Sequence, residues 1–592
     1  MANGSPFRLE FKGHRGLLLR FAEHVLGLRY LDRIYEKYVT DEQGHDFVRL
    51  TLHRLNIQYR LTGEPMDNIP KSGPLVVIAN HPFGGAEGVV LMDALLKVRP
   101  DVRVLSNQLL NSIPGLQSLF IGVDILSNPS KEQRRAANKE AVSTATQWVK
   151  EGGALIIFPA GEVSGWDWKT RKLKEATWRH TAGRILHETQ ANLLPVHVEG
   201  RNSFVFYGLG IIHPLLRTMR LVRELINKSG KQITLKLGSV EPWQNFSRCP
   251  DEQSLTNAMH LRTILLSNGE SKPLESIQAN PESPVISPVD SALLERDIAK
   301  LPEKNLLLQR GSFEVWCSYA TGIPNILREI GRLREITFRD AGEGSGLSMD
   351  IDRFDQTYLH LFLWNKEKSE IVGAYRLGQV DKLIASGGVE ALYSRSLFEY
   401  DRRFLDQMGG CLEMGRSFIS KEYQKSLSAL QMLWKGIGAW VIRHPQYRVL
   451  FGPVSISKEY QELSRYLMAM SLEENFLNSS LAELVKPKEP LHPSSKLPWS
   501  RDMLAGLGSV EHISALVRVL ENDRGVPVLL RQYLKLNGTF AGFNVDPAFN
   551  DALDGLIIVD LLKSDRRVLE RYLGEEGYLR LTGFHNLEAM SA

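Results

Sequence analysis

Leu75-Val76-Val77-Ile78-Ala79-Asn80-His81-Pro82-Phe83-Gly84-Gly85-Ala86-Glu87 decides the reading of the N-terminal half. Five apolar residues, three of them β-branched, predict a strand buried on both faces, as in a parallel sheet. His81 follows at the C-terminal end of that strand, where open α/β sheets place their ligands. A histidine there is a candidate general base. A carboxylate on one ring nitrogen would fix its tautomer and support the imidazolium that forms. Glu87 lies six residues on, across a loop with two glycines, so the chain can fold back to supply it. A structural histidine fits the same text, so a second signal is needed.

Working outward, Ala154–Phe158, Leu193–Val198 and Ile233–Leu237 also read as buried strands, with a helical run at Lys131–Lys150 between them. This alternation predicts an α/β domain. Two further chemical texts lie at strand ends: Phe158-Pro159-Ala160-Gly161-Glu162-Val163-Ser164 and Leu194-Pro195-Val196-His197. Just beyond the first, Lys169, Arg171, Lys172, Lys174 and Arg179 interleave with Trp166, Trp168 and Trp178. That mixture suits an anionic surface, such as a membrane or an acidic protein partner, and equally a solvated helix face. Leu215–Ile226 is a second basic-apolar run. Phe21, Val25, Leu28, Leu31 and Tyr35 recur at helical spacing, as in an interfacial helix or one packed on its own domain.

Lys+Arg total 72 and Asp+Glu 68, a net +4 that argues against nucleic-acid binding driven by bulk charge. Three cysteines (Cys249, Cys317 and Cys411), none in a Cys-x-x-Cys, argue against a disulfide scaffold or a cysteine metal site and for a reducing compartment. No metal ligand set is expected. The longest apolar runs, Phe204–Ile212 and Gly555–Leu562, fall short of the roughly 18 residues of a membrane span. The first residues, MANGSPFRLEFKGHRG, lack a signal-peptide apolar core. From Asn268 to Pro288 the chain is rich in Ser, Pro and Glu, as linkers are. The expected domains are therefore 1–265 and 291–592, joined by a linker over 266–290. Lys486–Trp499 reads as a long loop in the second.

In the C-terminal part, His360–Trp364 and Ile371–Leu377 predict a hairpin. Cys411–Ile419 and Val449–Ser455 predict central strands with a helix over Ser426–Ile442 between them. Three polar pieces stand out: Arg334 to Arg339, Asp350-Ile351-Asp352-Arg353-Phe354-Asp355, and Leu412-Glu413-Met414-Gly415-Arg416-Ser417-Phe418. A glutamate on a central strand can take the proton of an amine, directly or through water, and Glu413 is the candidate. Arg334, Arg376 and Arg416 are candidates for a substrate carboxylate or for structural ion pairs. Asp350, Asp352 and Asp355 suit a cationic amino acid, or a salt-bridge network.

Over about Pro70 to Leu237 the N-terminal texts resemble the lysophosphatidic acid acyltransferase family of glycerolipid O-acyltransferases. The resemblance implies that His81 deprotonates an acceptor hydroxyl attacking an acyl thioester and that Glu87 orients His81. It places Gly161, Glu162 and Ser164 at the acceptor or oxyanion. Ala86 stands where the family has aspartate, Ala160 where it has glutamate and Val163 where it has arginine. Valine cannot pair with a phosphate as arginine does, so the expected acceptor is a lipid hydroxyl without glycerol phosphate. Over about Ile323 to Ser457 the C-terminal texts resemble the acyl-homoserine-lactone autoinducer synthases. They are closer still to the hemolysin-like ornithine N-acyltransferases, and both are variants of the GNAT fold. Ser420 to Lys425 lack the glycine-rich loop with which GNAT enzymes hold coenzyme A, which suits an acyl carrier protein donor.

The expected fold class is thus α/β in two domains, glycerolipid-acyltransferase-like and then GNAT-like. The combination resembles the bifunctional ornithine lipid synthases. It implies N-acylation of ornithine with a 3-hydroxyacyl group from acyl-ACP, then O-acylation of the lyso-ornithine lipid, with no further cofactor. The implied partners are acyl carrier protein and the inner face of the cytoplasmic membrane, with no nucleic acid. Three alternatives stand beside it. The amino acid is glycine, lysine or another; the chain is an ordinary lysophospholipid O-acyltransferase fused to a separate N-acyltransferase; or it is a non-catalytic, membrane-associated, hemolysin-like protein.

Overall fold

The computed structural model describes residues 29–30, 32–33, 42–107, 113–123, 131–167, 172–212, 214–268, 283–425, 427–493, 497–521 and 524–591. The candidate interfacial helix around Phe21 to Tyr35 is outside the described residues at every position that carried its pattern. Trp168, Lys169 and Arg171 are outside them too. The chain divides into two compact units, Met1–Glu270 with Pro498–Leu507, and Ser271–Leu497 with Gly508–Ala592. The Pro-rich stretch after Lys486 therefore leads into a segment of the first unit, where Asp502 accepts a hydrogen bond from Asn257 Nδ2 at 2.8 Å. From Ser283 onward the Ser- and Pro-rich stretch belongs to the second unit: the Ser283 and Ile286 N–H groups donate to Gly346 and Ser348.

The first unit carries β1 (Gln58–Gly63), β2 (Leu75–Ala79), β3 (Val102–Asn107), β4 (Phe120–Val123), β5 (Ala154–Ile157), β6 (Asn192–Val198) and β7 (Gln232–Leu237), in the order β1-β7-β6-β2-β5-β3-β4. β6, β2, β5, β3 and β4 are parallel. β7 runs antiparallel to β6, with β1 parallel to β7. Leu75, Val77 and Ala79 of β2 enter one core and Val76 and Ile78 the other, so the strand is buried on both faces as its composition predicts. Helices α1 (Ala86–Leu96), α2 (Lys131–Lys150), α3 (Phe204–Ile212), α4 (Pro214–Ile226) and α5 (Glu252–Asn268) complete the parts used below.

The second unit carries β8 (Leu306–Arg310), β9 (Phe313–Tyr319), β10 (Leu359–Asn365), β11 (Glu370–Gln379), β12 (Cys411–Ile419), β13 (Val449–Ile456), β14 (Thr539–Asp546) and β15 (Ala552–Asp560), ordered β8-β9-β10-β11-β12-β13-β15-β14. Helix α6 (Pro324–Asp340) precedes β10, and α7 (Leu427–Arg443) joins β12 to β13. Among the described residues only β12 and β13 of this sheet are parallel, and they pair where Cys411–Glu413 faces Val449–Phe451. Beyond that β12 stays with β11 and β13 with β15, so the sheet opens in a V between Gly415 and Pro453. Both units are α/β, as expected. Among the described residues no helix is long and apolar enough to cross a membrane.

Candidate active sites

In the first unit the chain leaves β2 at Asn80, whose side chain clamps the end of β6. It donates to Val198 O at 3.0 Å and accepts from Val198 N–H at 2.7 Å. His81 is held by its backbone on both sides: its N–H donates to Glu175 and its carbonyl accepts from Ser164 N–H. Its Nδ1 lies 3.0 Å from Glu87 Oε1. Glu87, fully buried in the first turn of α1, also accepts the N–H groups of Phe83 and Gly84 at 2.9 Å and of Gly85 at 3.0 Å. Burial alone raises a carboxyl pKa. His81 and these N–H donors outweigh it, and Glu87 stays below its usual range. His81 keeps about a fifth of its side chain exposed (18%), so an acid fixed in the protein supports an imidazole that substrate can reach.

Of the other predicted residues, Ser164 meets the backbone of His81. The Gly161 N–H closes a turn on Phe158 O at 3.0 Å. Gly161 sits at φ +66°, and a Cβ there would meet the Arg179 guanidinium at 3.5 Å. Glu162 pairs with Arg217 of α4 at 2.8 Å. Arg179 and Arg217 thus bring positive charge to the loop that has valine at 163. Val163 packs with Phe206 and Tyr207 of α3, flanked by Trp166 and Leu221, in an apolar wall beside the His81 loop. Gly84 (φ +92°) is required there: a Cβ would lie 2.7 Å from Val163 and 2.5 Å from Leu221.

In the second unit the predicted residues do come together. Arg334 Nη1 lies 2.8 Å from Asp355 Oδ1. Arg376 Nη1 lies 2.6 Å from Asp352 and 3.4 Å from Asp355. Arg416 lies 3.4 Å from Asp352 and 3.6 Å from Asp350. Desolvation raises Asp355, but Arg334 and Arg376 outweigh it and hold its carboxyl far below the usual range. The three aspartates are therefore counterions of three arginines, the arrangement of the second of the two readings that the sequence leaves open for them. Donors remain unfilled. Arg334 Nε and Nη2, Arg376 Nη2 and Arg416 Nε are buried without a hydrogen-bond partner, as is Asp350 Oδ2.

Glu413 is 1% exposed, and both its oxygens are taken. Oε1 accepts from the Ser394 N–H at 2.7 Å and from the Ser394 hydroxyl; Oε2 accepts from the Tyr393 N–H at 3.0 Å and from the Tyr358 hydroxyl. A carboxylate so enclosed has no lone pair facing an amine. Glu413 holds the turn at 393–394 against β12 with these four bonds, so an amine proton that reaches it, directly or through water, must displace one of them.

Sequence reading missed Glu343, Asp546 and Asp554, which come from three separate segments. Asp554 on β15 accepts from the Ser455 hydroxyl at 2.8 Å, and Asp546 at the end of β14 caps the turn at 547–549. Burial, then the neighbouring Asp546 charge, pushes Asp554 up to about 7. Burial, then Asp554 and Glu459, pushes Glu343 up to about 8. No local motif marks them; only the fold assembles them.

Comparison with known proteins agrees with this division. An acyltransferase family model matches residues 12–245 and an acetyltransferase (GNAT) domain model matches residues 333–435. A glycine N(alpha)-acyltransferase of Bacteroides thetaiotaomicron is 32% identical over 304 residues, 48% of this chain and 88% of that protein. Another, of Phocaeicola vulgatus, is 30% identical over 305 residues, 48% of this chain and 91% of that protein. A lyso-glycine lipid O-acyltransferase of Phocaeicola vulgatus is 28% identical over 238 residues, 39% of this chain and 81% of that protein.

Proposed function

This chain belongs to the acyltransferase family of the glycine N-acyltransferases, and from that premise we propose that it builds a diacylated aminolipid, with ornithine as the amino acid. In the second unit the α-amine of the amino acid attacks the carbonyl of a 3-hydroxyacyl thioester. The N–C bond forms, the C–S bond breaks, and the amine proton leaves with the thiol. In the first unit His81 takes the proton of the new lipid's 3-hydroxyl as that oxygen attacks a second thioester; an ester forms and the thiol departs. Two features carry the reading. One is the His81–Glu87 pair at a strand end. The other is a strand opening in the second unit whose buried arginines keep unfilled donors suited to an amino-acid carboxylate.

The proposed donor is acyl carrier protein, because the segment after β12 lacks the glycines that cradle a coenzyme A pyrophosphate. The proposed location is the cytoplasmic face of a membrane. Phe204 and Ile212 of α3 are 76% and 73% exposed, and the exposed Arg201 lies over the Phe204 ring at 5.3 Å, an apolar-basic surface suited to anionic lipid. Glycine, the amino acid named in the relatives, is the second reading for the acceptor. Expression in a host without such lipids, followed by lipid mass spectrometry, tests the whole. The expected product is a diacyl ornithine lipid; a glycine product supports the second reading, and absence of any new aminolipid overturns both.

A further inference from the structure

We infer that Glu175 is a positioning residue for His81, and that His260 of α5 fixes Glu175 in that task. The inference rests on the O-acyltransferase reading above and names a support for its base that no motif text contains.

The loop after β2 shows why a second carboxylate is needed. Pro82 has no N–H. The N–H groups of Phe83, Gly84 and Gly85 all go to Glu87, as does the His81 ring through Nδ1. The N–H left over at 81–85 is that of His81 itself, and it donates to Glu175 Oε1 at 3.0 Å. Glu87 therefore fixes the ring, and Glu175 fixes the backbone from which the ring hangs. With Nδ1 occupied, Nε2 is the nitrogen left for the acceptor hydroxyl.

Glu175 comes from 94 residues away and is itself held. Its Oε2 lies 3.5 Å from His260 Nε2, and the two side chains are 17% and 16% exposed. The His260 ring stacks on Trp178, with centroids 4.3 Å apart and planes 17° apart. Trp178 is buried, and its carbonyl accepts from Gln253 Nε2, also on α5, at 3.3 Å. The segment from Glu175 to Trp178 is thus clasped to one helix at both ends. A glutamate on a free loop would have to give up rotamer freedom to reach His81; here that freedom is already removed. His197, the other histidine of the N-terminal texts, makes no rival claim on Glu175. Burial pushes it down to about 4 although the Glu199 and Glu175 charges pull the other way, so it stays neutral. A base displaced by about 1 Å can lose on the order of 10²-fold in rate.

The test uses the purified full chain, an acyl-ACP donor, and the N-(3-hydroxyacyl) derivatives of ornithine and of glycine as acceptors. Glu175→Ala should lower kcat of O-acylation at least tenfold and leave KM for the acceptor within about twofold. Glu175→Gln, which keeps an oxygen for the His81 N–H, should recover kcat to within about threefold of wild type, and His260→Ala should fall between the two. An unchanged kcat in Glu175→Ala overturns the inference, as does a Gln variant no better than Ala. Hydrogen exchange at the His81 amide, resolved by fragmentation mass spectrometry, reads the same support without turnover. Exchange there should be at least tenfold faster in Glu175→Ala than in wild type or Glu175→Gln, while the amides of β5 keep their rates and show the variant folded. Equal exchange in all three overturns the positioning. The expected exchange pattern in a wild type that acylates neither acceptor leaves the positioning standing and sinks the O-acyltransferase reading.

Discussion

Glu87 and Glu413 are both buried glutamates beside central strands, and both are saturated with hydrogen bonds, yet they do opposite work. Glu87 spends backbone donors of its own loop to stay ionised and keeps one oxygen against His81, whose ring reaches the surface. Glu413 spends its oxygens on Tyr358, Tyr393 and Ser394. A buried acid acts in chemistry through the partner it leaves accessible; its own burial decides nothing. The largest expected effect tests the accessible partner. His81→Ala should lower O-acylation by ~10²–10⁴-fold, the usual worth of a general base. Lyso-lipid should then accumulate in the lipid mass spectrum while N-acylation continues. Continued diacyl product would break the contrast.

Glu413 gives the next effect. Glu413→Ala leaves the Ser394 N–H buried without its acceptor, at about 1–3 kcal/mol, and frees the hydroxyls of Ser394 and Tyr358 as well, while the Tyr393 N–H keeps the Tyr358 hydroxyl oxygen at 2.9 Å. For a unit of this size that is a fall in Tm of roughly 5–10 °C by calorimetry, with loss of N-acylation alongside it. Loss of N-acylation at an unchanged Tm would instead make Glu413 the direct base.

The surroundings of the two sites differ as well. The first is walled by Val163, Phe206 and Tyr207, near the exposed apolar residues of α3; the second is ringed by ion pairs. The double variant Phe204→Ser, Ile212→Ser should weaken partition onto anionic vesicles about tenfold, as expected for two removed apolar contacts. It should slow O-acylation there and leave N-acylation of a water-soluble amino acid alone. Equal slowing of both would deny the first unit its own lipid contact.

What was legible in the sequence follows the range of the interactions. Strands buried on both faces announce themselves: Leu75–Ala79 and Ala154–Ile157 are continuous apolar runs. β1, with alternating exposure at the sheet edge, and β3, with Arg103 and Ser106 inside it, carry no such run. β8, β9 and β14 were missed as well. His81 and Glu87 were readable because six residues and two glycines join them. Glu413 is legible in the sequence, but its hydrogen-bond partners are not, because Tyr358 and Ser394 arrive from 55 and 19 residues away. The aspartates were found, but their neutralisation depends on Arg376 and Arg416, brought beside them by β11 and β12. Glu343, Asp546 and Asp554 belong to no motif.

The smallest effect sets Glu87 against Asp554, two buried carboxylates shifted in opposite directions. Glu87 lies below its ordinary value, so its contribution is present at neutral pH and is lost as pH falls through its folded value. Asp554 is raised from 3.8 to about 7, so the folded chain keeps a proton that the unfolded chain gives up near 3.8. Between those values the folded state binds more protons, and stability declines as pH rises. Asp554→Asn removes that decline. The variant should melt a few degrees above wild type at about pH 8, roughly 1–2 kcal/mol for a unit of this size, and no higher than wild type at about pH 4. Scanning calorimetry at the two pH values decides it. A variant less stable by the same amount at both would mean that Asp554 is matched by its hydrogen bond to Ser455 alone.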